Sequence, residues 1–186
     1  ANALPEGLTD NIFDIADQYN RASEILDEEE RANLADLNYL AGRKAKMMGA
    51  FETALPYFRA AYYHLYSLGG TAKSIWERYH HLAYCAHLEL AEAEFLNHNF
   101  ERVKPIIDEG VAYTDDAIEI AHLKNILVVM YATQFTRIPE ALSIGLEILR
   151  TLGIGINTAD PEEQRKELQD TVKKGLYRKE ISSLME

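Results

Sequence analysis

The sequence predicts an all-α protein, and three observations lead to this fold class. Among 186 residues there are 23 alanines, 22 leucines and 20 glutamates, which are strong helix formers, against 5 prolines and 10 glycines. Valine occurs only five times, which leaves little material for a sheet. Apolar residues also recur at steps of three and four along almost the whole chain, which is the period of an amphipathic helix.

In the first half of the chain, this period and its interruptions predict four helices. Thr9 or Asp10 is the expected N-cap of the first, and the second has acidic residues at its start and basic residues near its end, which suits the helix dipole. Gly49 separates the second helix from the third, and the Leu-Gly-Gly sequence at 68–70 separates the third from the fourth. The predicted helices cover residues 10–27, 29–48, 50–66 and 74–97.

Four more helices are expected in the second half. Pro105 lacks a backbone N–H, so the fifth helix should either have its first turn near this residue or bend there. Pro139 suits the first turn of the seventh helix, Gly153 ends that helix, and Asp160 is the expected cap of the eighth. The predicted helices cover residues 100–113, 115–135, 139–152 and 161–174.

Three turns between predicted helices resemble one another and indicate an internal repeat. Each turn leads to a small or branched apolar residue at the same offset, namely Ala54, Val103 and Ala141, which are 49 and 38 residues apart. These steps exceed the roughly 34 residues of a tetratricopeptide repeat, yet the local pattern fits one. Small residues at such a crossing let two antiparallel helices approach to about 8–10 Å. The matching positions are Gly42, Ala54, Phe58 and Ala61; Ala91, Val103, Ile107 and Gly110; and Val129, Ala141, Gly145 and Ile148.

We therefore expect antiparallel helix pairs stacked as a TPR-like right-handed α-solenoid of about seven to eight helices. Residues 1–27 would form a leading helix that belongs to a preceding repeat, and residues 28–153 three TPR-like helix pairs. Residues 154–186 would form a linker and a C-terminal helix. The ends read as those of a segment taken from a longer protein. An irregular antiparallel bundle is the alternative architecture.

The sequence at 34–46, Leu-Ala-Asp-Leu-Asn-Tyr-Leu-Ala-Gly-Arg-Lys-Ala-Lys, followed by Ala-Leu-Pro-Tyr-Phe at 54–58, resembles a family of large bacterial signalling proteins. In this family a serine-threonine kinase domain and a STAND-type ATPase module precede a tetratricopeptide-like helical repeat region, and sensor domains and often a histidine kinase follow. Further similar stretches lie at 76–79, 92–101 and 140–154. The resemblance covers about residues 8–186. It implies a regulatory helical region and supplies no catalytic residue.

The sequence itself carries no catalytic signature. It has no Gly-rich phosphate loop and no kinase catalytic motif, and the His-Leu-Glu-Leu sequence at 87–90 lacks the acid and proline that follow a phosphoacceptor histidine. We therefore expect no enzymatic activity and no cofactor in this chain; kinase or ATPase activity would belong to other parts of the parent protein. The expected function is a protein-interaction and regulatory module that senses or relays binding for a neighbouring ATPase or kinase.

Two residue clusters allow other interpretations. His81, Cys85 and Glu89 share one helix face and could hold a metal ion, although a further ligand is not evident and cysteine is more often simply buried. Tyr62 and Tyr66 stand one turn apart and are typical of a core, with a binding groove as the alternative. An enzymatic helical bundle that uses the histidine-rich helix is a weaker alternative. A structural spacer or dimerisation segment is a further alternative function.

If the first helix of each pair lines the concave face of the solenoid, seven side chains would point there and could contact a protein partner. They lack the lysine-and-asparagine clamp of repeat proteins that bind C-terminal carboxylates, which disfavours a chaperone-tail adaptor. Two basic clusters, at 43–46 and 173–179, are either solvated helix ends that complement the helix dipole or sites that dock onto an acidic segment, such as one in the ATPase module of the parent protein. The predicted partner-binding residues are Tyr39, Arg43, Lys46, Glu92, Phe95, Met130 and Thr133.

Net charge and cysteine content limit the partners and the compartment. The formal net charge of −11 argues against a nucleic-acid partner, which would require a concentrated positive surface. No apolar run approaches the roughly 18 residues of a membrane span, so no membrane partner is expected. The single cysteine, Cys85, excludes an intramolecular disulfide and fits a reducing compartment, so we expect a cytoplasmic protein. The oligomeric state is left open.

Overall fold

The computed structural model describes residues 11–155, and all regular elements in this range are helical, which confirms the all-α prediction. Two short 3-10 turns, Ser23–Ile25 and Phe135–Arg137, stand between helices. The eighth predicted helix and the predicted caps Thr9 and Asp10 lie outside the described residues. The α-helices are α1 Ile12–Arg21, α2 Glu28–Met47, α3 Phe51–Tyr66, α4 Ala72–Leu96, α5 Phe100–Tyr113, α6 Ala117–Ala132 and α7 Ile138–Thr151.

Side-chain caps determine where two of the long helices begin. Asp27 accepts a hydrogen bond from the backbone N–H of Glu30 at 2.9 Å, and the Glu30 carboxylate accepts one from the N–H of Asp27 at 3.0 Å. Thr71 and Ser74 form the same reciprocal arrangement at the start of α4. Each such capping box satisfies two backbone donors that the helix itself leaves unpaired.

Two predicted helix ends are wrong, those of α1 and α6. Helix α1 ends at Arg21 and not at residue 27, because Asp27 caps the next helix and Leu26 is extended. Helix α6 ends at Ala132, and a 3-10 turn follows. Helix α5 has its predicted bounds, and Pro105 is its sixth residue, so the first turn does not lie there; the alternative, a bend at Pro105, stays a prediction. Pro139 does lie in the first turn of α7, as predicted.

Consecutive helices pack against each other throughout, from α1 on α2 to α6 on α7. Helix α4, which spans 25 residues and is kinked at Tyr79, lies centrally, since it contacts α2, α3, α5 and α6. All seven helices belong to one compact unit, Ala1–Gly153, and a second unit, Ile154–Glu186, follows it. The predicted division into a leading helix, three helix pairs and a C-terminal linker and helix stays a prediction.

The close helix crossing predicted from the repeat pattern is present in the first pair. Gly42, Ala54, Phe58 and Ala61 are all buried. A Cβ atom at position 42 would lie 2.6 Å from Cε1 of Phe58, so only glycine leaves room for the ring. The two helices therefore approach closely because one of them has no side chain at the crossing.

The later units follow the pattern less closely. In the second pair Ala91, Val103 and Ile107 are buried, and a Cβ atom at Gly110 would lie 3.1 Å from Leu123. In the third pair the pattern fails at Val129, which is 44% exposed. A Cβ atom at Gly145 would meet nothing within 4 Å among the described residues, so this glycine marks no close crossing.

A buried polar cluster joins α1 to α2 and α3. The amides of Asn20 and Asn38 exchange two hydrogen bonds of 2.9 and 2.8 Å, and Asn38 also donates to the carbonyl of Leu34 at 2.9 Å. His64 Nε2 lies 3.0 Å from Asn20 Oδ1, where it donates. Burial lowers the pKa of His64, and the positive charge of Arg31 lowers it further. The cluster therefore favours the neutral form of the His64 side chain.

This lowered pKa predicts an acid-sensitive contribution to stability. As the pH falls below about 6.5, the unfolded chain binds a proton at His64 before the folded chain does, so the free energy of unfolding decreases. One proton limits the slope to about 1.4 kcal/mol per pH unit. We expect His64→Gln to flatten the decrease between pH 7.5 and 5.5 in urea unfolding, whereas His81→Gln, at an exposed histidine, should leave it unchanged. Equal slopes in all three proteins would contradict the assignment.

Candidate functional site

Side chains of α2, α4 and α6 meet in one polar area, because α4 packs against both other helices. We call this area the first-helix surface, since each of these helices is the first of a predicted pair. Its side chains come from three successive turns of α2, from three successive turns of α4 and from the first half of α6. Its members are Tyr39, Arg43, Lys46, Tyr84, Cys85, Glu89, Glu92 and His122.

A three-charge bridge joins α2 to α4 on this surface. Lys46 Nζ lies 2.7 Å from Glu89 Oε2 and 2.8 Å from Glu92 Oε2. Burial alone would lower the pKa of Lys46, but the hydrogen bonds to both carboxylates outweigh it and raise the pKa. The ammonium therefore stays charged at neutral pH, and the bridge carries a net charge of minus one.

Beside the bridge, Tyr39 and Arg43 of α2 face Cys85 of α4. The Arg43 guanidinium carbon lies 5.6 Å from the centre of the Tyr39 ring, within the range of a cation–π contact. Burial raises the pKa of Tyr39 and also that of the Cys85 thiol. Both groups therefore stay protonated near neutral pH, and Cys85 has the character of a packed, unreactive thiol.

The metal-site alternative can be compared with this geometry. Cys85 Sγ lies 3.7 Å from Nε2 of His81. A zinc ion would need a thiolate and at least two further ligands. Within residues 11–155, no three His, Cys, Asp or Glu side chains are arranged to hold a metal ion.

Helix α6 joins the surface through histidine contacts. Tyr84 Oη lies 2.9 Å from His122 Nδ1. One turn earlier, His80 Nε2 lies 3.0 Å from both carboxylate oxygens of Glu119, and Glu119 also accepts a hydrogen bond from Thr114 Oγ1 at 2.5 Å. These contacts hold α4 and α6 in register, so the polar area continues across three helices.

The predicted partner-binding residues are only partly brought together. Lys46 and Glu92 are joined directly, and Tyr39 stacks with Arg43 close by, although Tyr39 itself is 9% exposed. Met130, in contrast, is 3% exposed in the core and is therefore not available to a partner. The partner-binding role of the remaining residues stays a prediction.

The last two predicted residues, Phe95 and Thr133, have local packing and capping contacts. Phe95 is half-buried and lies 6.1 Å from the ring of Phe100. Thr133 follows α6, and its hydroxyl donates to the carbonyl of Met130 at 2.7 Å.

Sequence reasoning missed Glu89, Tyr84 and His122 as members of this surface. Glu89 could have been predicted from the sequence, because it precedes Glu92 by three positions and therefore shares its helix face. His122 could not have been predicted, since only the packing of α6 on α4 places it beside Tyr84.

The aromatic cluster noted in the sequence lies mainly inside the molecule. His87 is fully buried, and its Nδ1 donates to the carbonyl of Ala83 at 2.8 Å. Trp76 Nε1 donates to Tyr66 Oη at 3.0 Å, and Tyr66 Oη lies 3.3 Å from His87 Nε2. This chain of hydrogen bonds favours the core interpretation of Tyr66, with its polar groups satisfied.

Among residues 11–155, no helix is long and apolar enough to cross a bilayer.

The described region has an all-helical fold in which each helix packs on the next. In sequence, the chain is 28% identical over 148 residues to a hybrid signal transduction histidine kinase (kinase G) of Dictyostelium discoideum. The match covers 77% of this chain and 4% of that protein, so the chain corresponds to a small part of its relative. No protein-family model and no solved structure matches the chain.

Proposed function

We propose that this chain is a non-catalytic protein-interaction and regulatory module of a signal-transduction protein. In this proposal α2–α3, α4–α5 and α6–α7 are three TPR-like pairs stacked as a right-handed solenoid. The glycine-mediated crossing at Gly42 supports this arrangement, as do the contacts of α4 with both α2 and α6. A solenoid would place the first helices side by side along one face.

The similarity to a hybrid histidine kinase and the resemblance to bacterial kinase and STAND-type ATPase proteins support a signalling role. Since the chain corresponds to 4% of its relative, any kinase or ATPase activity would belong to other parts of the full-length protein. The module would act in the cytoplasm, where it would sense or relay a binding event for a neighbouring ATPase or kinase.

The observation that carries the proposal is the continuous first-helix surface. Lys46 connects α2 to α4 at 2.7 and 2.8 Å, and Tyr84 connects α4 to α6 at 2.9 Å. Lys46 is neutralised within its bridge, whereas Arg43 is exposed and stacks on the ring of Tyr39. Arg43 is therefore the cation on this surface best placed to contact an acidic segment of a partner.

The test is binding of this chain to the separately produced remainder of the full-length protein, with and without nucleotide. We expect Arg43→Glu to weaken binding about tenfold, because a favourable charge contact becomes a repulsive one. Lys104→Glu is the matched control, since it reverses an exposed cation on α5, a second helix of a pair. Equal losses in both variants, or ATP turnover by this chain alone, would refute the proposal.

A spacer or dimerisation role is the second candidate. The exposed apolar side chains of α7 favour it, with Leu142 63% and Ile138 51% exposed. Sedimentation at several concentrations decides between the two candidates: dimerisation predicts a mass that rises with concentration, whereas the interaction module predicts a constant one.

A further inference from the structure

A cleft of about 390 Å³ opens between α3 and α5 above α4, away from the first-helix surface. Its apolar lining consists of Leu90 from α4 and of Pro105 and Ile106 from α5, with the ring of Tyr62 from α3. Charged side chains form the rest of the lining. A cleft of this volume, lined by both apolar and charged side chains, is typical of sites that bind a small group with an apolar part and one polar end.

Two of the charges in the lining neutralise each other. Arg59 donates from Nε and Nη2 to the two oxygens of Glu94, each at 2.8 Å. Glu94 is only 2% exposed and also accepts a hydrogen bond from Asn99 Nδ2 at 2.7 Å. This pair therefore has little capacity left for a ligand.

The remaining charges in the lining are Glu101, Arg102 and Glu109. Within residues 11–155, neither Glu101 nor Arg102 has an ion-pair partner. Two carboxylates and one guanidinium give the open part of the cleft an excess negative charge. An occupant of complementary charge is therefore a cation.

Glu109 is the carboxylate best prepared to receive that cation. It accepts a 2.6 Å hydrogen bond from Tyr62 Oη, and its Oε2 lies 3.8 Å from Nε2 of the buried His87. The neighbouring His87 lowers the pKa of Glu109, and the hydrogen bond from Tyr62 lowers it further against the opposing effect of burial, so the group is charged at neutral pH. Its side chain is 34% exposed, which leaves it accessible from the cleft.

We propose that this cleft binds the side chain of a lysine or arginine presented by a partner protein. The aliphatic stem would cover Leu90, Pro105 and Ile106, as such stems do on apolar surfaces, and the cation would reach Glu109 and the Tyr62 ring. The site is separate from the first-helix surface. It rests on the proposed function only in taking the ligand to be a protein segment.

The test is an NMR titration of the complete 186-residue chain with capped pentapeptides Ala-Leu-X-Leu-Ala, where X is lysine, arginine, norleucine or glutamate. We expect the lysine and arginine peptides to shift the amide signals of Leu90, Ile106 and Glu109. They should bind about tenfold more tightly than the norleucine peptide, since a partly exposed ion pair and a cation–π contact add to the same apolar contact.

Glu109→Gln removes the charge but keeps the size of the side chain and its ability to accept from Tyr62. It should reduce lysine-peptide affinity to the norleucine level, whereas Asp108→Asn, a neighbouring exposed acid paired with Lys104, should not. Urea unfolding checks that both variants fold.

Three results would overturn the inference: no shifts with the lysine peptide, equal or tighter binding of the norleucine or glutamate peptide, or unchanged lysine binding to Glu109→Gln. These peptides test the cleft without the remainder of the full-length protein. Failure of the peptides to bind would therefore contradict the cleft proposal alone, and failure to bind the remainder of the protein would contradict the proposed function alone.

Discussion

Replacing Gly42 by alanine is expected to lower the free energy of unfolding by about 2 kcal/mol, the usual cost of overpacking a well-filled core. The new Cβ atom would lie 2.6 Å from Cε1 and 2.7 Å from Cδ1 of Phe58. Phe58 is fully buried between α2 and α3, so its ring cannot move aside into solvent. The overlap must separate the helices, and urea unfolding measures the loss.

Gly145 provides the matched control for this substitution. It is also a helical glycine, but a Cβ atom there would meet nothing within 4 Å among the described residues. Gly145→Ala should therefore raise the free energy of unfolding by about 0.5–1 kcal/mol through helix propensity alone. Phe58→Leu combined with Gly42→Ala should cost less than the sum of the two changes, because the smaller side chain relieves the overlap. Destabilisation of similar size at both glycines would contradict the close crossing.

Replacing Arg59 by methionine is expected to lower the free energy of unfolding by about 2 kcal/mol. The change leaves the carboxylate of Glu94, 2% exposed, without its cation. Removing one partner of a fully buried pair costs about 3–5 kcal/mol, and the 44% exposure of Arg59 reduces that cost. The measurement is chemical denaturation at neutral pH.

Two controls separate this effect from the loss of an ordinary ion pair. Lys104→Met breaks the exposed pair with Asp108 one turn away on α5, and it should cost less than about 0.5 kcal/mol. Arg59→Met combined with Glu94→Gln should recover much of the loss, because no unpaired buried charge remains. If Arg59→Met and Lys104→Met are equally mild, Glu94 does not depend on Arg59.

Of these two predictions, the one at Gly42 concerns a contact that the sequence indicates, and the one at Arg59 concerns a contact that it does not. Gly42 belongs to a repeat pattern visible in the sequence, since its spacing to Ala54 and Phe58 predicts a close crossing. Arg59 and Glu94 are 35 positions apart, and no local pattern relates them. Only the packing of α3 on the end of α4 brings them together.

The helix predictions succeed where signals for stopping and starting coincide. Helix α5 has the predicted bounds, 100–113, because a polar turn precedes it and a polar segment follows it. At residues 22–27 the apolar period continues past the true end of α1. The period reports one face of a helix, but the cap at Asp27 is the local interaction that decides where the chain changes direction.

The candidate site shows a similar division. Lys46 and Glu92 were assigned to one surface because the first helix of each predicted pair was expected to line it, and they do meet at 2.8 Å. Met130 was assigned by the same reasoning and is buried. Helix α6 is apolar on almost every side, with Ile126, Leu127 and Tyr131 buried beside Met130, so periodicity cannot indicate which of its faces is exposed.

By itself, the sequence determined the all-helical fold of the described region, most helix boundaries and the close crossing at Gly42. These follow from composition, from a period of 3.6 residues and from capping and turn residues, all of which act over a few positions. The tertiary structure alone decided which charges pair across helices, that Met130 lies inside, and that a cleft forms between α3 and α5 beside Glu109. Such features depend on which helix faces meet, and that outcome is governed by packing between residues distant in the chain.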